Sequence, residues 1–517
     1  MPHLGPVLEQ PVQLSKLLAT GLAGDSGAVA LISREGSANW SDLEETSSRL
    51  AANYLALGLK PGDRVASLMP NRIALIAHYI ACFKAGLVAT PLNYRYTPPE
   101  IDHALEVSGA SIILAHAERA SDLAASKAAS LPLGIITYNA ANGGGVRFES
   151  LLEREVPAAT FPVMGPDAPA AIFFTSGSTG PAKGVTHTVG SLGWMFASAV
   201  ASFQLGPDDV VLPGSSISHI AGFIFSLASL SAGAKVVVAR AFDYEELGPL
   251  FRETRPTVFS MLPTALLHLL REHGMTAGEL SSLRLCRSAG DKVPAELQAE
   301  YKALTGHQVS EGYGMTEIGL AALHPPAVAG KLGSIGLPSP GFAFSIRDEN
   351  GQEVPIGTQG RLWVKTPSRT AGYWNDPQAS AEVMREDWLD TGDVMKADED
   401  GYLWFQGRQK QIIVHDGSNI APQEVEDALL AHPAVESAGV IGIHNLAHGE
   451  NVRAYVALKP GAQRPKAGEL ISFARARVGY KAPEEIVFLD AMPLNATGKV
   501  DRTALKALAA GEHAHHR

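Results

Sequence analysis

The sequence predicts an α/β fold in two parts. A large N-terminal domain carries parallel or mixed sheets covered by helices, and a small C-terminal domain is a compact α+β unit. Three observations lead there. Strand-like apolar runs alternate with helix-like periodic segments through about four hundred residues. The last hundred residues change to a helix–strand–strand–helix–strand order. With 517 residues, 46% of them hydrophobic, the chain is long enough for two to four domains with real cores.

The elements follow in order. "WSDLEETSSRLAANYLALGL" reads as a helix with Ser41 as its cap and Glu44 three residues on, and Leu43, Leu50 and Tyr54 share one face. "DRVASLMP" is a strand, "NRIALIAHYIACFKAG" a helix and "LVATPLN" a strand. The alternation continues through "ASIILAH", "AKVVVA" and "PTVFSML". Near the C-terminal end, "APQEVEDALLAHPAVESAGVIGI" reads as helix then strand. "NVRAYVAL" is a strand, "AGELISFARARV" a helix and "EIVFLD" a strand. The polar, charged start of "QGRQKQIIVHDG" places a boundary near Arg408–Gln411.

Composition narrows the function. The formal net charge is −11 and no Lys/Arg cluster is present, which argues against a nucleic-acid partner and an anionic membrane surface. The most membrane-like stretch, Ile220 to Ala234, is shorter than the ~20 residues a spanning helix needs and holds three serines, so it reads as a buried helix. "MPHLGPVLEQ" lacks a basic start and an apolar core, so no signal peptide is read there. Cys82 and Cys286 lie far apart and outside any CxxC, which reads as two buried free thiols in the reducing cytoplasm.

The richest motif is "IFFTSGSTGPAKGV", Ile172 to Val185, an apolar strand running into a Ser/Thr/Gly loop. Gly177, Gly180 and Gly184 permit close backbone approach or positive φ, and successive N–H groups in such a turn make an anion-binding nest. Thr175, Ser176, Ser178 and Thr179 add hydroxyl donors and Lys183 adds a point charge. The loop is neither GxxxxGK[ST] nor GxSxG. Alone it fits a polyphosphate cradle and an ordinary turn equally well. It is followed by "EGYGMTE" (Glu311–Glu317), "WLDTGD" (Trp388–Asp393), "GRQKQIIVHDGSNIAPQEVE" (Gly407–Glu426) and "PLNATGKVDR" (Pro493–Arg502).

These five motifs, in this order and spacing, resemble the adenylate-forming superfamily, in its acyl- and aryl-CoA synthetase branch. The resemblance implies the adenylate-forming fold: a large domain of mixed α/β subdomains plus a β-barrel-like subdomain, residues 1–408, a hinge at 409–412, and a mobile α+β domain, 413–517. It implies an ATP-dependent acid–CoA ligase. A carboxylate attacks the α-phosphate of ATP to give an acyl-adenylate and pyrophosphate, and the thiol of coenzyme A then displaces AMP. Positive charge and N–H dipoles arranged beforehand are needed to bring a carboxylate against an anionic triphosphate, and Mg²⁺ adds charge.

By this resemblance the Thr175–Lys183 segment, including Gly180, wraps the β- and γ-phosphates. Gly312, Tyr313 and Gly314 lie along the adenine, Thr316 touches the α-phosphate and Glu317 holds Mg²⁺. Asp393 accepts the ribose hydroxyls, Arg408 supports them, and Lys499 bridges the attacking carboxylate and the α-phosphate. Lys499, Thr316, Glu317 and Lys183 are the implied catalytic residues. One site built from two domains implies closure about the hinge. Rotation of the small domain then presents Lys410, Asp416, Gly417 and Ser418 to CoA. The family hinge residue is usually Asp, and here it is Gln411. "CRSAGDKVP" replaces a smaller segment beside the acyl pocket, putting Arg287, Ala289 and Gly290 there. Plant hydroxycinnamate ligases carry a basic residue at the Arg287 position. Arg287 therefore either reads a polar end of the acid or pairs with Asp291. "SISHIAGF" makes His219 either gate and wall or a buried structural histidine. No Asp lies between Gly214 and Phe225, so an amino-acid substrate is disfavoured.

The acid expected is aromatic, hydroxycinnamate- or benzoate-like, or a medium-chain fatty acid. The alternatives are loading of a carrier-protein thiol, a nucleotide- or acyl-binding protein without catalysis, and a luciferase-like oxygenase. The partners expected are the acid, ATP and CoA, with no nucleic acid and no integral membrane association, in a monomer or homodimer.

Overall fold

Helix-covered parallel sheets are what the chain forms. The computed structural model describes residues 3–140, 145–155, 160–175, 182–271, 274–290, 293–325, 331–415, 418–445, 449–495 and 498–514. The chain divides into two compact units. One is Pro2–Phe344 with Val364–Leu389, and the other is Ser345–Trp363 with Asp390–Arg517.

The larger unit holds two sheets. In the first, the strands Val88–Pro91, Arg64–Leu68, Ile112–His116 and Ile135–Tyr138 run parallel as neighbours. The strand Pro169–Thr175 joins Val88–Pro91 in the same sense, and Lys183–Thr188 and Gly372–Tyr373 close that edge antiparallel. In the second, Lys235–Val237, Val210–Gly214, Val258–Met261, Leu285–Ala289 and Ser310–Met315 are parallel neighbours, followed by antiparallel Gly319–Leu323. The helices Ile73–Ala85, Val189–Phe203 and Ile220–Ser231 pack in one apolar core with residues of both sheets. The Phe223 ring is a hub of that core, with Tyr79 and Phe173 each 5.0 Å away between centroids. The Ile220–Ser231 helix is buried, as its apolar composition predicts, and no helix among the described residues is long and apolar enough to cross a membrane. Cys82 and Cys286 are both buried free thiols.

One expectation is corrected. The early helix spans Trp40–Ala56 and is capped by Asn39, not Ser41. The Asn39 side chain accepts the Asp42 N–H at 2.7 Å and the Asp42 carboxylate accepts the Asn39 N–H, so the reciprocal box is complete two residues earlier. The Ser41 hydroxyl donates to Asn39 Oδ1 instead.

The smaller unit contains a sheet in the order Ser418–Ile420, Ile413–His415, Gly449–Leu458, Val435–Asn445, with Glu485–Leu489 parallel to Gly449–Leu458. Pro422–Leu430 and Ala467–Val478 supply helical faces to its core. These are the helix–strand–strand–helix–strand elements predicted for the last hundred residues. In the same unit residues 393–397 pair antiparallel with Leu403–Arg408.

A buried asparagine ties the strand ends of the two large-unit sheets together. Asn71 Nδ2 donates to the carbonyls of Ser215 (3.1 Å) and Ala239 (3.0 Å), and its Oδ1 accepts the Ile217 N–H at 2.8 Å. Replacing Asn71 by Ala strands three backbone groups, each worth about 1–3 kcal/mol when buried without a partner. Asn71→Ala is expected to lower the thermal midpoint clearly, and an unchanged midpoint contradicts the tie.

Candidate active site

The Ile172–Val185 motif has two antiparallel strand ends pinned together. Thr175 closes one strand, Lys183 opens the next, and their Cα atoms are direct antiparallel partners. His103 Nε2 donates to the Ala182 carbonyl at 2.8 Å, holding the outgoing end. Ser176, Gly177, Ser178, Thr179 and Gly180 lie outside the described residues, as do Asp416, Gly417 and the side chains of Lys410 and Ser418. Gln411 belongs to the short 3-10 turn Gln409–Gln411.

A short strap fastens this hairpin to the Thr316–Glu317 turn. The residues Gly372–Tyr373 pair with Val185 and Thr186. The N–H groups of Ala371 and Trp374 donate to the carbonyls of Thr186 (2.9 Å) and Gly184 (2.7 Å). The buried Thr370 hydroxyl donates to the Thr186 carbonyl at 2.7 Å, and the Thr370 N–H donates to the Glu317 carbonyl at 2.7 Å. The Glu317 side chain is only 6% exposed, and the Tyr373 hydroxyl donates to its Oε1 at 3.0 Å. Burial and that carboxylate both push the Tyr373 hydroxyl well above its ordinary range, so it remains a donor. The Lys183 ammonium lies over the Tyr373 ring, 5.0 Å from its centroid.

The Thr316–Glu317 turn is shaped by its glycines. A methyl group on Gly314 would come 2.3 Å from the Gly319 carbonyl oxygen, so only glycine fits there. His187 holds the turn from below. Its Nε2–H donates to the Thr316 carbonyl at 2.7 Å while Nδ1 accepts from the Ser191 hydroxyl at 3.2 Å. Burial drives the His187 imidazole down to about 4, so the ring is neutral and its tautomer is set by the carbonyl it faces.

Arg287 sits on the Leu285–Ala289 strand, where regular alternation puts it on the same face as Ala289. It is 6% exposed, and its guanidinium carbon is 5.5 Å from the ring centroids of both Phe203 and Phe225. A methyl group on Gly312 would come 3.1 Å from its Nε, so the guanidinium lies against the backbone of the "GYG" strand. That Nε has no protein acceptor, and no carboxylate among the described residues pairs with Arg287. Asp291 lies outside the described residues. Burial lowers the guanidinium to about 10, which leaves it charged at neutral pH. Gly290 follows with φ +94°. His219 is not a buried histidine: it is exposed and caps the Ile220–Ser231 helix, its Nδ1 accepting the Ala221 N–H.

The smaller unit carries the remaining predicted residues. Asp393 and Arg408 are cross-strand partners, and Arg408 Nε lies 3.1 Å from Asp393 Oδ1. Asp393 is 1% exposed. Lys499 sits on a tight loop: its N–H donates to Asn495 Oδ1, the Asn495 N–H donates to the Lys499 carbonyl, and Gly498 has φ +80°. The loop is anchored just beyond by Arg502, whose Nη2 donates to the buried Glu426 carboxylate at 2.5 and 2.7 Å. Glu426 also accepts the Val440 N–H at 2.7 Å. Sequence reasoning missed His187, Thr370, Tyr373 and Glu426. Only Glu426 lay in a singled-out motif.

A family model described as the AMP-binding enzyme matches residues 19–374, and the C-terminal domain of the AMP-binding enzyme matches 424–499. The chain belongs to the AMP-binding enzyme family. This family member is 35% identical over 497 residues to a feruloyl-CoA synthase of Amycolatopsis sp., covering 95% of this chain and 96% of that protein. It is 31% identical over 504 residues to an indoleacetate–CoA ligase of Aromatoleum aromaticum, covering 96% and 98%. The ATP-bound MatB of Rhodopseudomonas palustris superposes with a TM-score of 0.89 at 29% identity, covering 96% and 99%. This AMP-binding enzyme is an ATP-dependent, AMP-forming acid–CoA ligase that uses ATP, Mg²⁺ and CoA. The residues present fit Mg²⁺. No group of three or more His, Cys, Asp or Glu among the described residues is arranged to hold a metal. Glu317 instead offers one fixed hard carboxylate, and Mg²⁺ is commonly held by one or two carboxylates plus substrate phosphates.

His187 is neutral when folded and titrates near 6.5 when unfolded, so the unfolded state binds more protons between those values. Its contribution is full above about pH 6.5 and is lost as the pH falls towards 4, up to about 3 kcal/mol. The buried His78, lowered to about 3, acts in the same direction. The fall in thermal midpoint across this window is expected to be shallower for His187→Gln than for the natural chain. Superimposable profiles contradict the assignment.

Proposed function

We propose that the acid this ligase activates is aromatic, hydroxycinnamate- or benzoate-like, with a hydrogen-bond-accepting group at the end remote from its carboxylate. Arg287 carries this reading. Burying a charged guanidinium costs several kcal/mol unless it is paired and hydrogen-bonded. Arg287 lies against two phenyl rings and a glycine backbone, and among the described residues no acid pairs with it. A phenol, phenolate or second carboxylate on the substrate supplies the missing acceptor, and Phe203 and Phe225 favour a flat ring beside it. The acids named in two relatives, ferulate and indoleacetate, are both aromatic.

The residue roles follow. Lys183 and the N–H groups of its loop neutralise the β- and γ-phosphates. Gly312, Tyr313 and Gly314 line the adenine and Thr316 donates to the α-phosphate. Asp393 accepts from the ribose hydroxyls with Arg408 beside it. Lys499 draws the attacking carboxylate and the α-phosphate together, and its charge offsets that developing on the phosphorane oxygens. Mg²⁺, when bound, adds charge neutralisation on the phosphate oxygens, with Glu317 as its protein ligand. His219, Arg287, Ala289 and Gly290 border the acid. Lys410, Asp416, Gly417 and Ser418 serve CoA, and Gln411 is the hinge between residues 1–408 and 413–517. We place the enzyme in the cytoplasm, a setting supported by its two buried free thiols.

The test is a matched panel of benzoates and cinnamates, with and without a para hydroxyl or carboxylate, followed by AMP release with ATP and CoA. A hydrogen bond to a charged group is worth about 1.5–3 kcal/mol, or roughly 10–100-fold in kcat/KM. Acids carrying the polar group are expected to be preferred by that factor, and Arg287→Met to erase most of the preference. Equal rates on unsubstituted rings, or an alkyl-specific profile unaltered by Arg287→Met, contradict it.

A further inference from the structure

Tyr373 stands where three elements of the phosphate end meet. Its backbone belongs to the strap: it pairs with Val185, and its N–H donates to the Ser380 hydroxyl at 2.8 Å. Its ring lies under the Lys183 ammonium, 5.0 Å from centroid to Nζ, and its hydroxyl reaches Glu317 Oε1 at 3.0 Å. One side chain therefore touches the cation at the mouth of the phosphate loop and the carboxylate of the Thr316–Glu317 turn.

We propose that Tyr373 is a positioning residue for the metal–triphosphate: its hydroxyl fixes the direction of the Glu317 carboxylate towards the divalent ion, and its ring seats the Lys183 ammonium. The proposal rests on Glu317 being the Mg²⁺ ligand. A glutamate side chain has three rotatable bonds, and a lone carboxylate that must meet a metal with near-ideal geometry gains from being held in one orientation. Groups that hydrogen-bond a metal ligand from outside typically account for 10–100-fold in metal affinity. The Lys183 contact is separable, because a ring face attracts an ammonium whether or not it carries a hydroxyl.

Two variants divide the roles. Tyr373→Phe keeps the ring and loses the O–H donor, and Tyr373→Leu loses both. The measurement is direct binding of Mn²⁺ to the full chain saturated with an α,β-methylene analogue of ATP, read by the electron paramagnetic resonance of free Mn²⁺. Binding of inorganic pyrophosphate is measured alongside, and thermal midpoints confirm folding. Tyr373→Phe is expected to weaken Mn²⁺ about 10-fold while pyrophosphate affinity stays within about twofold. Tyr373→Leu is expected to weaken both. Glu317→Gln is the reference arm and is expected to weaken Mn²⁺ at least as much as Tyr373→Phe. If Glu317→Gln weakens Mn²⁺ and Tyr373→Phe leaves it unaltered, the positioning role is overturned while the Glu317 assignment stands. If Glu317→Gln leaves Mn²⁺ binding intact, the assignment of Glu317 itself fails and the positioning role falls with it. If Tyr373→Leu binds pyrophosphate like the natural chain, the ring does not seat Lys183.

Discussion

The spacing of Lys183 and Glu317 depends on a set of hydrogen bonds that strap Thr370–Trp374 to the strand Lys183–Thr188 and to the Glu317 carbonyl. The reaction requires a carboxylate to approach a triphosphate, and like charges must be neutralised before they meet. Such neutralisation is cheap at the moment of reaction only if the charges and dipoles are already in place. Lys183 and Glu317 are far apart in sequence and opposite in charge. Their two elements are tied directly by the His187 bond to the Thr316 carbonyl and, from the other side, by the strap. The strap makes the strand Lys183–Thr188 and the Thr316–Glu317 turn one frame, built from main-chain bonds and the buried Thr370 hydroxyl.

Buried polar side chains elsewhere serve the same end. His187 is neutral and spends its one N–H on the Thr316 carbonyl, so the backbone of the turn is set from inside the core. Glu426 is buried and bonded to Arg502, three residues after Lys499, which ties the lysine loop to the helix Pro422–Leu430. Asn71 joins strand ends from two sheets. Each of these groups is satisfied by named protein partners. Arg287 departs from that pattern, because its buried Nε meets no acceptor in the protein.

Much of the fold was legible because period and punctuation are local. The helix Ile73–Ala85 ends at Gly86, which takes φ +69°, and the strands Arg64–Leu68 and Ile112–His116 are mostly apolar and mostly buried, as strands covered on both faces require. The loop, the Thr316–Glu317 pair, Asp393 and Lys499 stand out as candidates because each lies in a dense motif, and the motifs come in a fixed order. The partners that hold them were not legible. His187 meets Thr316 across 129 residues, Tyr373 meets Glu317 across 56 and Thr370 meets Thr186 across 184. A single His, Tyr or Thr carries no local signal of so distant a partner. Ser41 was misread for a different reason: Asn39 and Asp42 form a closed box, and a serine between them loses the competition.

The most direct test of the strap is the Thr370 hydroxyl, which donates to the Thr186 carbonyl and accepts the Gly372 N–H at 3.0 Å. Thr370→Val keeps the shape and removes the hydroxyl, and Thr370→Ser keeps the hydroxyl. ATP–pyrophosphate exchange, measured with a saturating acid substrate, should fall about 10-fold or more in Thr370→Val, the size expected when buried backbone groups lose their partner. It should remain near the natural rate in Thr370→Ser. Exchange in Thr370→Val at the natural rate would contradict the account, because Lys183 and Glu317 would then be held by something other than the strap.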